Sequence, residues 1–457
     1  MQKNYQIDMC SGSILKKMLL FTLPLMLSSV LQLLFNAADV VVVGRFAGDN
    51  SLAAVGSTTA LINLLVNLFI GLSVGANVLV ARYYGAKQDK DLSESVHTAM
   101  TVSVISGIVL TFVGFLGAPV ILKWMNSPDN IIGLAVLYLR IYFLGMTSMM
   151  IYNFGAAILR AVGDTRRPLY FLMIAGVINV VLNLFFVIIL KMDVAGVALA
   201  TTISQCVSAG LVILCLIKEK GAIKLEIKKL KIHKDKLVKI FKIGLPAGFQ
   251  GTLFALSNVV IQSSINSFGE VVVAGNSAAS NIEGFVYVSM NSFYQAAISF
   301  TSQNVGSGKY DRINKILFTA LGCVIVTGVV LGNLACIFGK PLLGLYSSSQ
   351  DVIEAGVLRL TYICTIYALC GIMDVMVGVL RGLGYSVLPM IVSLIGACAL
   401  RIIFLSTAFK LEMFHKIEMV YLTYPVSWVL TFTAHVICFL IIRNKTKKKW
   451  SFISHFF

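Results

Sequence analysis

Apolar residues in this chain run in long continuous stretches instead of alternating with polar ones. Met18–Val43, Val102–Leu122, Phe171–Leu190 and Ile316–Phe338 each reach or exceed the roughly 20 residues that cross about 30 Å of hydrocarbon. Short polar breaks divide the chain into twelve such runs, near 15–43, 52–83, 94–120, 131–160, 168–190, 195–217, 240–267, 272–303, 315–338, 352–381, 386–409 and 417–442. A membrane β-barrel would show period-two alternation, so continuous runs predict helices. The expected fold is an all-α membrane protein with twelve transmembrane helices.

The runs fall into two copies. Asn153–Pro168 aligns with Asp374–Pro389 at an offset of 221, where Leu159, Arg160, Gly163 and Pro168 recur as Leu380, Arg381, Gly384 and Pro389. The same offset sets Gly48 on Gly269 and Gly85 on Gly306, and one residue more sets Pro24 on Pro246, Asn36 on Asn258 and Phe46 on Phe268. Two pseudo-symmetric six-helix bundles follow, over 1–217 and 240–442, with a basic linker at 218–239 and a basic tail at 443–457. An even number of helices per half lets both halves enter from the same side, as in transporters built of parallel repeats. Two equivalent bundles that rock about a midplane cavity provide alternating access.

Composition agrees: 58% of residues are hydrophobic, 12% are charged and the mean hydropathy is +0.88, against about 25% charged residues in soluble domains. The net charge of +17 is a topology signal. Of the 37 lysines and arginines, 28 lie before the first span, after the even-numbered spans or after the last. Cytoplasmic loops carry such an excess, which sets both termini inside. No soluble basic domain exists to bind nucleic acid. The lysines of Lys218–Lys242, interleaved with Ile223, Leu225, Ile227, Leu230 and Ile232, suit a linker held at an anionic lipid leaflet. Nine scattered cysteines show no CxxC spacing and read as small buried hydrophobes. Gly306–Lys309 resembles the end of a phosphate loop, but Gln303 and Tyr310 break the motif. The Gly71–Gly75 spacing suits tight helix packing within the chain. No nucleophile–base constellation is present, so no enzyme is expected, and no cofactor beyond a coupling ion.

Ionisable groups at membrane depth are costly and need a reason. Asp39 shares a helical face with Gln32 and Asn36. Asn179 and Asn183 are spaced i, i+4, and Asn153 and Thr201 complete a polar set in the first half. Removing a carboxylate from water favours its protonated form, so Asp39 could take up a proton. Carboxylate, amide and hydroxyl oxygens also suit a hard cation, with Asp39, Asn179, Asn183 and Thr201 as the candidate sodium ligands. Pro24, inside the first helix, removes a backbone hydrogen bond and offers a bend. In the second half, Asp374 stands where the first has Asn153, and Arg401 where it has Val180, which suggests an Asp374–Arg401 pair. Glu283, with Tyr287 and Asn291 on its face, is a candidate second cation site or cavity lining.

Pro24 with Gln32–Gly48, the paired Leu-Arg-Ala/Gly-x-Gly elements at 159–163 and 380–384, Asn179–Asn183 and Gly196–Ser204 resemble the multidrug and toxic compound extrusion (MATE) family of bacterial secondary transporters. The resemblance runs from about Ile14 to Arg443. It implies two lobes in a V and export of organic cations in exchange for Na⁺ or H⁺. It implies coupling at Asp39, with Asn153, Asn179 and Thr201 as neutral partners. Asn183 departs from the pattern, since many relatives carry a second aspartate there. The protein is expected to act as a monomer in the cytoplasmic membrane, against lipid, on small organic cations. The alternative is a flippase for lipid-linked oligosaccharides or peptidoglycan precursors, which would require a cationic cavity.

Overall fold

The computed structural model describes residues 5–125 and 128–453, and among these every regular element is helical. The end of the basic tail, from 454 onward, lies outside the described residues. Twelve helical columns are present: α1 Ile14–Phe46, α2 Asp49–Gly85, α3 Asp89–Trp124, α4 Asp129–Leu144 with Met146–Ala161, α5 Arg166–Leu184 continuing through a π turn at Phe185–Ile189, and α6 Asp193–Lys218. Then come α7 Lys234–Asn266, α8 Glu270–Gly306, α9 Asp311–Ile337, α10 Gln350–Cys364 with Ala368–Gly382, α11 Val387–Ser393 continuing through π-helical Leu394–Ala399 into Leu400–Ser406, and α12 Ile417–Ile453. Among the described residues, nine helices are long and apolar enough to span a membrane, or eleven with each bent pair counted as one span. The remaining column, α8, spends its length on polar positions such as Asn276, Glu283, Asn291 and Gln303.

The duplication inferred from spacing is visible in backbone conformation. Gly48 and Gly269 begin α2 and α8 at φ +90° and +91°, and Gly163 and Gly384 follow α4 and α10 at +90° and +98°. These are left-handed values that side chains resist, so glycine recurs at both copies. The bends recur as well: α4 breaks at Gly145 by 45°, and α10 breaks between Cys364 and Ala368 by 46°. Pro24 and Pro246 each lie inside a helix that runs on through them.

Packing divides the chain into two compact units, Met1–Thr252 with Ser302–Lys309, and Leu253–Thr301 with Tyr310–Phe457. The division cuts α7 and α8 instead of falling in the linker, and glycines explain the first unit's share of them. A Cβ on Gly71 would lie 2.1 Å from Gly248 N, on Gly75 2.2 Å from Ile240 O, and on Gly248 2.2 Å from Leu68 O. The Gly71–Gly75 pair therefore packs α2 backbone to backbone on the start of α7, where any side chain would hold them apart. Gly85 and Gly306, matched by the repeat, do the same for the ends of α2 and α8: their Cβ atoms would meet Gln303 O at 2.1 Å and Arg82 O at 1.9 Å.

The basic linker is no loose tether. Ile223 and Leu225 are buried with Val96, Phe154, Leu159 and Leu216. The backbone N–H of Glu226 donates to His97 Nε2 (3.1 Å), and that of His233 donates to Thr98 Oγ1 (3.1 Å). Ile227, Leu230 and Ile232 remain exposed.

Candidate functional site

The first unit builds a polar cluster where α1, α5 and α6 meet. Close approach comes from Gly176 of α5, whose missing side chain leaves room for the ring of Phe35 on α1. Beyond this contact, one turn along α1 and two along α5, Asn183 Nδ2 donates to Asp39 Oδ1, and also to Asn179 Oδ1 at 3.3 Å. Asn179 Nδ2 donates to Thr201 Oγ1 (3.3 Å), whose hydroxyl reaches Asp39 Oδ2 (3.4 Å) and Val197 O (3.0 Å). The i, i+4 asparagines on α5 thus close a ring with Asp39 and Thr201.

Two features of the ring carry chemical weight. Among the described residues, no lysine, arginine or histidine forms an ion pair with Asp39. Asn183 is fully buried, and its Oδ1 has no hydrogen-bond partner. A carboxylate held by neutral donors beside an unused carbonyl-type oxygen leaves the cluster one positive charge short.

The sequence grouping was wider than the geometry. Asn153 spends its amide on Met149 O of its own helix (2.9 Å), and Asn36 lies exposed on α1 outside the ring. Residues missed by the sequence reading stand nearby. Tyr138 and Tyr142 on α4 stack at 5.8 Å and lie within electrostatic reach of Asp39, with Gln205 beside Tyr142. Their i, i+4 spacing in an apolar span was the available signal.

The second unit is arranged differently. The suggested Asp374–Arg401 pair does not form. Asp374 instead lies within electrostatic reach of Arg381 and Tyr287, while Arg401 Nε donates to Ser427 Oγ on α12 (2.7 Å). The π turn at Leu394–Ala399 lies directly before Arg401. It takes up an extra residue and turns the helix face beyond it by about 100° relative to the α-helical register. Glu283 is no bare carboxylate either. Arg359 grips it with Nε on Oε1 (2.7 Å) and Nη2 on Oε2 (2.8 Å), and gives Nη1 to Asn276 Oδ1. Arg359 lies 5.7 Å from the rings of Tyr421 and Tyr424. With Arg359 so engaged and Arg140 lying over the Phe115 ring, neither is gathered into a cationic cavity.

Comparison with known proteins gives a consistent result. A family model described as MatE matches twice, over residues 24–185 and 246–406. The chain is 28% identical over 428 residues to the probable multidrug resistance protein YoeA of Bacillus subtilis, covering 92% of each chain. It is 23% identical to the multidrug export protein MepA of Staphylococcus aureus, covering 86% of this chain and 88% of that one. Among solved structures, an outward-facing multidrug resistance MATE family transporter of the MOP superfamily superposes with a TM-score of 0.89 at 20% identity, over 98% of this chain and 100% of the other. At that identity the likeness concerns the fold.

Proposed function

The chain belongs to the MatE family, and from that premise we propose that it is a secondary antiporter exporting organic cations in exchange for a monovalent cation bound at Asp39. The observation that carries this reading is the unpaired Asp39 carboxylate inside the Asn183–Asn179–Thr201 ring, beside the unpartnered Asn183 Oδ1. Either a proton on Asp39 or a Na⁺ among these oxygens supplies the missing charge, and the oxygen-only donor set suits a hard ion. Binding or release changes the charge of the α1–α5–α6 junction by one unit, which can bias a two-state helix bundle. Names carried by the relatives support drug export as the exchanged step. The positive charge of the even-numbered loops supports a cytoplasmic-membrane orientation with both termini inside.

Uptake of ethidium into everted vesicles, the equivalent of export from the cell, with Na⁺ and ΔpH imposed separately, tests the proposal. Asp39→Asn is expected to abolish gradient-driven transport while the protein still inserts and purifies as a single species. Undiminished uptake in that variant sinks the mechanism.

A further inference from the structure

Arginines buried in the second unit have their charges answered in unequal ways. Arg359 has the full carboxylate of Glu283 and the amide oxygen of Asn276. Arg381 donates to the Tyr294 hydroxyl and lies near Asp374. Arg401, 4% exposed, has neither arrangement. Its Nε reaches Ser427 Oγ, and its Nη2 is buried with no hydrogen-bond partner. Among the described residues no aspartate or glutamate forms an ion pair with it, and Tyr424, Cys370, Cys398 and Tyr367 lie within its electrostatic reach. Around the guanidinium stand aromatic rings: Tyr424 at 4.2 Å, Trp428 at 5.9 Å, and Tyr367 packed 5.4 Å from Trp428. Ring faces attract a cation but do not accept the in-plane N–H bond that Nη2 offers.

We infer that Arg401, with Tyr424 and Trp428, forms an anion subsite for the carboxylate of a flat aromatic amphiphile. A carboxylate satisfies the unused Nη2 and cancels the charge, as Glu283 does for Arg359. The rings flanking the guanidinium offer stacking faces to the aromatic body that carries the carboxylate, and Tyr424 is the half-buried member of the set. The inference deepens the export reading and rests on it. The second unit accepts zwitterions as well as simple cations, and the carboxylate is the part read by Arg401. Lysine is a poor substitute, because its ammonium lacks the planar fork that presents Nε to Ser427 and Nη2 to the ligand together.

Rhodamine B, which carries a free carboxylate, and its ethyl ester, which does not, form a matched probe pair. Fluorescence polarisation with the purified full-length protein measures binding, and everted vesicles measure export of the same two dyes. Arg401→Gln is expected to weaken rhodamine B binding roughly tenfold while the ester stays within about twofold, and Arg401→Lys to fall between. Monodispersity on size exclusion establishes that each variant is folded, and if Arg401→Gln is not, the Arg401→Lys comparison decides alone. Equal losses for both dyes, or no loss for either, overturn the subsite. Binding that depends on Arg401 for rhodamine B alone, with neither dye exported by the unaltered protein, keeps the subsite and defeats the export reading.

Discussion

Replacing Glu283 by glutamine separates two accounts of the buried α8–α10 contact. The side chains of Glu283 and Arg359 are 8% and 7% exposed, and both carboxylate oxygens accept from the guanidinium. Glutamine keeps the shape and one acceptor but turns an N–H₂ donor toward Arg359 Nη2 or Nε. If the contact were merely two interhelical hydrogen bonds, membrane double-mutant cycles suggest a loss of about 0.6 kcal/mol for each. If charge compensation dominates, the arginine is stranded without its counter-ion and the loss is about 3–5 kcal/mol. The geometry favours the second account, because the other side chain that accepts from that guanidinium, Asn276 through Oδ1, is neutral. Replacing both partners, Glu283→Met with Arg359→Met, removes the stranded charge. It should recover most of the loss, short of about 1–3 kcal/mol for the Asn276 oxygen left without its donor. Thermal melts of the detergent-solubilised protein, read by fluorescence-detected size exclusion, rank the variants. A single variant within about 1 kcal/mol of the original, or a double variant no better than the single, refutes the charge argument. Efflux per folded molecule in the double variant then tells whether Glu283 does anything besides holding α8 to α10.

Further outcomes follow from the same contacts. Asn183→Leu is expected to cut ion-driven efflux at least roughly tenfold, about 1.4 kcal/mol, whereas Asn153→Leu stays near the original because its amide serves only its own helix; uptake into everted vesicles compares the two. Gly71→Ala, forced against Gly248 N, is expected to cost about 1–3 kcal/mol, while Gly56→Ala, with nothing within 4 Å, is neutral or stabilising by up to about 1 kcal/mol; paired thermal melts check the difference. Leu225→Ala is expected to destabilise by about 2–5 kcal/mol, and Ile227→Ala hardly at all. Equal effects at these two linker positions would mean that the linker is not docked on the first unit as described.

What the sequence made legible was whatever repeats. Span length and matched glycines are local properties, and each survives in the structure as a helix or a left-handed turn found twice. The ring at Asp39 was partly legible, since Asn179 and Asn183 share a face and Thr201 lies on the next helix. Asn153 and Asn36 were overcounted because spacing along a helix does not reveal whether an amide bonds outward or to its own carbonyl four residues back. Arg401 was misassigned for a related reason. Its partner was inferred by matching positions between the copies, Arg401 to Val180 and Asp374 to Asn153, and the π turn at Leu394–Ala399 rephases α11 ahead of Arg401 without any sequence signature as plain as a proline. The Glu283–Arg359 contact was invisible because the residues are 76 positions apart and have no counterpart in the other copy.

The two halves therefore differ in how they settle charge, and this difference bears on mechanism. Identical bends at Gly145 and at Thr365–Tyr367 give both copies the same jointed column, so the scaffold alone supplies no direction for coupling. On the proposed mechanism, direction comes from the residues that break the repeat. The first unit keeps a carboxylate without a cation, and the second pairs Glu283 with Arg359 yet leaves Arg401 without a counter-ion. A deficit of positive charge in one copy and of negative charge in the other cannot both be relieved by one monovalent cation. If the coupling ion answers Asp39, the charge at Arg401 remains for something else to answer, and an exported molecule is the other ligand such a transporter handles. Transport of the ester and the free acid should accordingly respond to separate substitutions. Asp39→Asn stops both by removing the drive, and Arg401→Gln stops only the acid.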